Sequence, residues 1–177
     1  MQKNKNYTTQ LVLTSIFTAI TVVLNRFLSV NVWNMSIGFA FVSVLFCGML
    51  LGPLWGGLCG GVADFIGAIV LPFGTYFPGF TLTAFVVGIL FGVIGFLAKK
   101  RMNTVIFMVL STLLILLKEV ACSLLLNSLW ISILYQSRFV GILISRIPLC
   151  ATTFVLEVIL AFLLKKFLIP KVKKELF

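Results

Sequence analysis

The chain has 177 residues, 61% of them hydrophobic and 10% charged, with a formal net charge of +10 and no histidine. A soluble domain of this length cannot hide that much apolar side chain, because its surface is too large for its core, so the medium around most of the chain is lipid. Cys47, Cys59, Cys122 and Cys150 lie in apolar runs without CxxC spacing or ligand partners nearby; they read as small buried hydrophobes, and neither a zinc centre nor a disulfide framework is supported.

The first apolar run follows Lys3 and Lys5, as in a secretory signal. It extends to about residue 28, however, and ends in Asn25-Arg26-Phe27 rather than at a small-residue cleavage site. It reads as a retained transmembrane helix. Spanning helices of about 20 apolar residues are expected at roughly 8–29, 36–52, 53–71, 79–98, 104–127 and 139–166. The second boundary rests on Gly52-Pro53 alone, so one long kinked helix is the alternative.

The basic residues favour six helices. Lys3 and Lys5, then Lys99, Lys100 and Arg101, then Lys165, Lys166, Lys171, Lys173 and Lys174 fall on one side only if the count is even. By the positive-inside rule that side is cytoplasmic, and both termini with it. The expected fold class is therefore an all-α integral membrane protein, a six-transmembrane-helix bundle forming one domain over residues 1–177. The net charge is a topology signal, not a nucleic-acid footprint.

Helix 3 carries Gly56-Gly57-Leu58-Cys59-Gly60-Gly61, and helix 4 carries Ala84, Gly88, Gly92 and Gly95 on one side. Small residues at this spacing let helix backbones approach closely in lipid. On helix 1, Ser15-xxx-Ala19 and Thr14-xxx-Thr18 serve either internal packing or a partner's helix.

Four basic residues lie outside the cytoplasmic clusters: Arg26, Lys118, Arg138 and Arg146. Counting about 1.5 Å per residue puts Arg26 at the outer end of helix 1 and Asp64 past the middle of helix 3. Lys118 and Glu119 fall about two turns below the outer end of helix 5, and Arg146 at similar depth in helix 6. Arg138 is in the external loop. Charges in hydrocarbon are costly unless paired or facing water, and four cations here meet two carboxylates, a surplus that suits an anionic ligand entering from outside. Glu157 counts to the inner side and stays out of this set.

Between helices 3 and 4 the stretch Pro72-Phe-Gly-Thr-Tyr-Phe-Pro78-Gly79 alternates turn formers with aromatics. Irregular backbone at membrane depth must be buried in protein or line a cavity. Phe73, Gly74, Tyr76 and Phe77 are thus expected to form a wall over the cationic pocket, with Trp33 and Trp130 beside it. A ligand flat at one end and anionic at the other fits such a site. No nucleophile–base pair or metal cluster accompanies it, so no catalytic residue is assigned and no cofactor is expected.

"VVLNRFLSV" (Val22 to Val30) and "PFGTYFPGFTLTAF" (Pro72 to Phe85) resemble the folate-specific substrate-binding S-components of energy-coupling-factor vitamin transporters. The general resemblance covers nearly the whole chain. It implies a bacterial cell-membrane subunit that captures folate from outside for uptake driven by a membrane coupling subunit and two cytoplasmic ATPases. Consistently, the chain has no GxxxxGK[ST] phosphate loop. The resemblance further implies that Ser15 and Ala19, matching the family's small-xxx-small motif, dock the coupling subunit. Arg26 and one of Arg138 or Arg146 would bind the ligand carboxylates, Phe73, Tyr76 and Trp130 would stack on its rings, and Asp64 or Glu119 would accept from its pterin. An S-component for riboflavin or pantothenate is the alternative.

Overall fold

The computed structural model describes residues 2–32, 35–72, 74–100 and 103–168. Six helices follow one another: α1 (Gln2–Phe27), α2 (Ala40–Leu51), α3 (Pro53–Val70), α4 (Pro78–Lys99), α5 (Thr104–Tyr135) and α6 (Phe139–Leu163, continued by a wider turn over Leu164–Leu168). Five of them are long and apolar enough to cross a membrane.

The exception is α2, whose 12 residues cover only about 18 Å at 1.5 Å each. The expected start at residue 36 is displaced because Val30–Val32 (β1) and Met35–Ile37 (β2) pair as an antiparallel hairpin, with Val30 opposite Ile37. Its end lies where expected. Gly52 adopts φ 109°, a conformation closed to most side chains, and Pro53 opens α3 at a position where its missing N–H costs nothing. Lys99 Nζ then donates to the Leu50 carbonyl at 2.6 Å, satisfying one of the orphan acceptors at the end of α2. The two helices are separate, as the basic clusters required.

In α1, Thr14, Thr18 and Thr21 turn inward, and their hydroxyls donate to the carbonyls of Gln10, Thr14 and Phe17 at 2.7–2.8 Å. Each hydroxyl is thereby satisfied without water. Ser43 of α2 also donates to the Phe17 carbonyl, at 2.9 Å.

Helices α3 and α4 touch backbone to backbone. A methyl group on Gly88 would lie 2.0 Å from the Gly56 carbonyl oxygen, and one on Gly60 would lie 2.5 Å from that of Ala84. The small-residue faces read from the sequence are thus internal packing surfaces.

Helix α5 runs on to Tyr135, beyond the expected end at 127. Its middle, Glu119–Leu126, is a π-helix, in which the Asn127 N–H reaches back to the Cys122 carbonyl and the helix passes through Asn127-Ser128 unbroken. Gln136, in the left-handed region at φ 49°, ends it.

The densest core lies at one end of the bundle. Leu45 and Met49 of α2, Phe91 and Ile94 of α4, Phe107 of α5, and Ala161 and Leu164 of the last helix are all buried there. That end also holds Lys99, Lys165 and Lys166. At the other end lie the hairpin, the 71–77 connection and the turn at Gln136–Arg138.

Candidate functional site

An open groove of about 800 Å³ runs along α3 and α4 from Leu58 to the second end, where Trp130 of α5 joins it, with Leu58, Val62, Phe65 and Leu82 exposed along its rim. Phe65, Tyr76, Phe77, Phe85 and Trp130 line it, with Thr81 as a polar member. Phe77 tilts against Trp130 with ring centroids 5.4 Å apart, and Phe65 meets Tyr76 edge-on at 5.9 Å. The Trp130 indole N–H donates to Thr83 Oγ1 at 3.0 Å, so its polar edge is tied down and its ring face is fixed. Gly74 lies beside the Tyr135 hydroxyl, which a methyl group there would meet at 3.0 Å.

A polar chain runs along the same end. Thr81 donates to Asp64 Oδ2 at 2.7 Å and stands 3.4 Å from the Tyr76 hydroxyl. Asp64 and Arg26 are in electrostatic contact. The Arg26 guanidinium lies across Gly67, one turn above Asp64, where a methyl group would come within 2.8 Å of Nε. Arg26, Asp64 and Tyr76, chosen separately from the sequence, are therefore brought together. Thr81 was missed as a site residue; it lies inside the stretch Pro72 to Phe85 that carries the resemblance, but nothing there set its hydroxyl apart from those of Thr75 and Thr83.

Lys118 and Glu119 do not lie in the outer half of α5. Because the helix extends to Tyr135, they fall at the midpoint of its 32 residues. Lys118 Nζ donates to Glu119 Oε1 at 2.5 Å and to Glu157 Oε1 at 2.6 Å, and Thr153 adds a hydrogen bond to Glu119 Oε1 at 3.0 Å. Neighbours in an α-helix point about 100° apart; the π-helix starting at Glu119 accompanies the inward turn of both side chains. All three groups are sealed from solvent, Lys118 at 3%, Glu119 at 4% and Glu157 at 1% exposure. Arg146, also buried, is in electrostatic reach of Glu119.

Glu157, set aside in the sequence reading as an inner-side residue, is thus part of this network. Its inclusion changes the charge balance, since the cations of the interior now meet three carboxylates instead of two. Two groups result: Arg26 with Asp64 near the hairpin end, and Lys118 with Glu119, Glu157 and Arg146 at mid-depth. Arg138 stays apart from both, exposed at the turn before α6. Trp33 and Phe73 lie outside the described residues.

On α1 the two small-residue patterns separate. Thr14 and Thr18 are internal, whereas Ser15 and Ala19 are exposed, flanked by exposed Leu11, Val12, Ile16, Ile20 and Val23.

The arrangement is that of a membrane-embedded helix bundle, with an aromatic groove and the Arg26–Asp64 pair toward one end and the Lys118 network at mid-depth. Residues 5–169 match the family model described as "ECF-type riboflavin transporter, S component", and the chain belongs to this family of transporter S components, which are not enzymes. It is 33% identical over 142 residues to the folate transporter FolT of Clostridium novyi (strain NT), covering 80% of this chain and 78% of that one. Over 134 residues it is 31% identical to FolT of Leuconostoc mesenteroides, covering 73% and 67%. A crystal structure of FolT bound with folic acid superposes with a TM-score of 0.75 at 31% identity, over 88% of this chain and 92% of the other. The chain is a multi-pass membrane protein with bacterial relatives.

Proposed function

We propose that this chain is the folate-binding S-component of an energy-coupling-factor transporter. The observation that carries the reading is its similarity, along nearly all its length, to FolT bound with folic acid. The lysine-bearing closed end faces the cytoplasm together with both termini, and the aromatic groove faces outside. Folate has a flat pterin, a benzoyl ring and a glutamate with two carboxylates. Tyr76, Phe77 and Trp130, with Phe73 and Trp33 from the adjoining segments, stack on the rings, and Gly74 keeps the wall thin beside them. Arg26 and one of Arg138 or Arg146 bind the carboxylates through planar, permanently charged forks. Two such pairs with ring burial support nanomolar binding, about 12 kcal/mol.

Ser15 and Ala19 dock the membrane coupling subunit, and two cytoplasmic ATPases drive uptake. Support for this docking is their exposure on a face of α1 about 100° round from Thr14 and Thr18.

The riboflavin description of the family model gives a second reading with the same mechanism and a different vitamin. Isothermal titration of the purified chain with folic acid, riboflavin and pantothenate separates the two. Folic acid should bind in the nanomolar range and the others at least about a hundredfold more weakly, close to 3 kcal/mol. Heat only with riboflavin overturns the folate reading and keeps the family.

A further inference from the structure

Cys47 of α2 and Cys59 of α3, which read in the sequence as separate buried hydrophobes, meet inside the bundle. Both are fully buried, and both are free thiols. Counted from the break at Gly52, they lie about 8 and 11 Å along the two helices that join there, and so share one level. Cys47 Sγ stands 3.6 Å from the Trp55 carbonyl oxygen, and Cys59 Sγ stands 3.7 Å from Thr21 Oγ1. The two thiols also interact with each other, with Thr14 beside Cys47 and Thr18 beside Cys59. The helix backbones are close at this level, since a methyl group on Gly56 would lie 2.8 Å from the Gly48 Cα. Such an approach suits the Cα separation of roughly 4.4–6.8 Å that a disulfide spans.

The surroundings decide which chemistry the pair supports. Its polar neighbours among the described residues are threonine hydroxyls and a backbone carbonyl, all of them neutral. Among the described residues no group of three or more His, Cys, Asp or Glu is placed to hold a metal ion. A thiolate, or a monovalent ion held by two thiolates, would leave a charge buried there without compensation. A disulfide forms by loss of two hydrogens and leaves the site neutral. A way in exists as well. A pocket of about 430 Å³ lies at the lysine-bearing end, lined by Tyr7 and Gln10 of α1 and by Leu51 through Trp55 around the break. Gln10 is one turn from Thr14, whose hydroxyl bonds its carbonyl, and Trp55 is the residue whose carbonyl faces Cys47.

We propose that Cys47 and Cys59 are an oxidisable dithiol, reached from this pocket by a small neutral peroxide, and that their disulfide clamps α2 to α3 across the Gly52 break. One thiol attacks the peroxide O–O bond. Its sulfur takes one hydroxyl as a sulfenic acid, and its proton leaves with the other as water. The second thiol then displaces the sulfenic hydroxyl, which departs with that thiol's proton as a second water. The S–S bond has formed, both S–H bonds and the O–O bond have broken, and the peroxide has taken two electrons from the pair. The link closes a short loop through Gly52 and so restricts the unfolded chain. A thiol reductant reverses it.

The test treats the purified full chain with hydrogen peroxide, counts thiols by maleimide labelling after denaturation, and maps the peptides by mass spectrometry. Two of the four thiols should disappear, the peptides of Cys47 and Cys59 should be joined, and dithiothreitol should restore both. The linked chain should unfold at a higher temperature in detergent than the reduced one. Cys47→Ser and Cys59→Ser should each form no internal link. Gln10→Trp, which fills the pocket, should slow the link severalfold. Four intact thiols, or sulfinic acid at either position without a link, overturns the proposal. A linked chain that unfolds no higher overturns the clamp, and an unchanged rate in Gln10→Trp overturns the route. Should a serine variant fail to fold, the peptide map of the unmodified protein decides alone.

Discussion

The Trp130 ring occupies the space that a side chain at Gly79 would need. A Cβ built on Gly79 would lie 2.7 Å from Trp130 Cδ2 and 2.6 Å from Phe77 Cε1, in contact with two groove aromatics at once. Position 79 is glycine because helix α4 begins against an indole.

Gly79→Ala should therefore act on binding before stability. The methyl group pushes Trp130 away from Thr83 and tilts its face, and folic acid affinity should fall by about tenfold or more, in line with an overpacking cost of 1–3 kcal/mol. Calorimetry on the purified variant, with thermal unfolding alongside, checks this. Unchanged affinity would show that the Trp130 face does not touch ligand.

The α3–α4 contact is less forgiving. Gly88→Ala sets a methyl group 2.0 Å from the Gly56 carbonyl oxygen, where no side chain can rotate away. A loss of about 3 kcal/mol or more is expected, read as a lowered Tm in detergent. Gly141→Ala in α6 meets nothing within 4 Å and should be neutral or stabilising by up to about 1 kcal/mol.

Lys118→Met strands two buried carboxylates. Breaking one side of a buried ion pair costs about 3–5 kcal/mol, so this variant should unfold at much lower temperature. Lys118→Met combined with Glu157→Gln should recover part of the loss, because one of the two uncompensated charges is gone. Additive losses in the double variant would rule out the direct coupling.

Ser15→Trp should leave both folding and folic acid binding intact, since the side chain already faces outward. Uptake in cells and co-purification of the coupling subunit should both fall to background. Normal uptake with this variant would move the docking surface off this face of α1.

The sequence and the structure agree where chemistry leaves few choices. At Gly52-Pro53 proline lacks the N–H and clashes with the preceding turn, which left a break or a kink open, and the structure shows the break. The glycines of α3 and α4 had to face inward, because little else explains such spacing in lipid. Disagreements arose where hydropathy is degenerate. Val30–Val32 and Met35–Ile37 are as apolar as a helix start, and only pairing across the chain makes them strands. The expected end of helix 5 at residue 127 was too early, because the helix runs through Asn127-Ser128 to Tyr135. That error moved Lys118 and Glu119 outward by about two turns, 11 Å, and so separated Glu157 from its partner Lys118. The division of Thr14 and Thr18 from Ser15 and Ala19 was likewise illegible, since all four are small and one residue decides the face.

The π-helical stretch Glu119–Leu126 divides α5 into two segments with independent rotational phase. Below it, Phe107, Ser111 and Ile115 keep the closed core in register; above it, Ser128, Trp130 and Ile131 follow a different one. Removing a single residue between 120 and 125 would tighten the turn and swing Trp130 by about 100° while leaving Phe107 and Ile115 where they are. A one-residue insertion or deletion here thus works as a tuning peg.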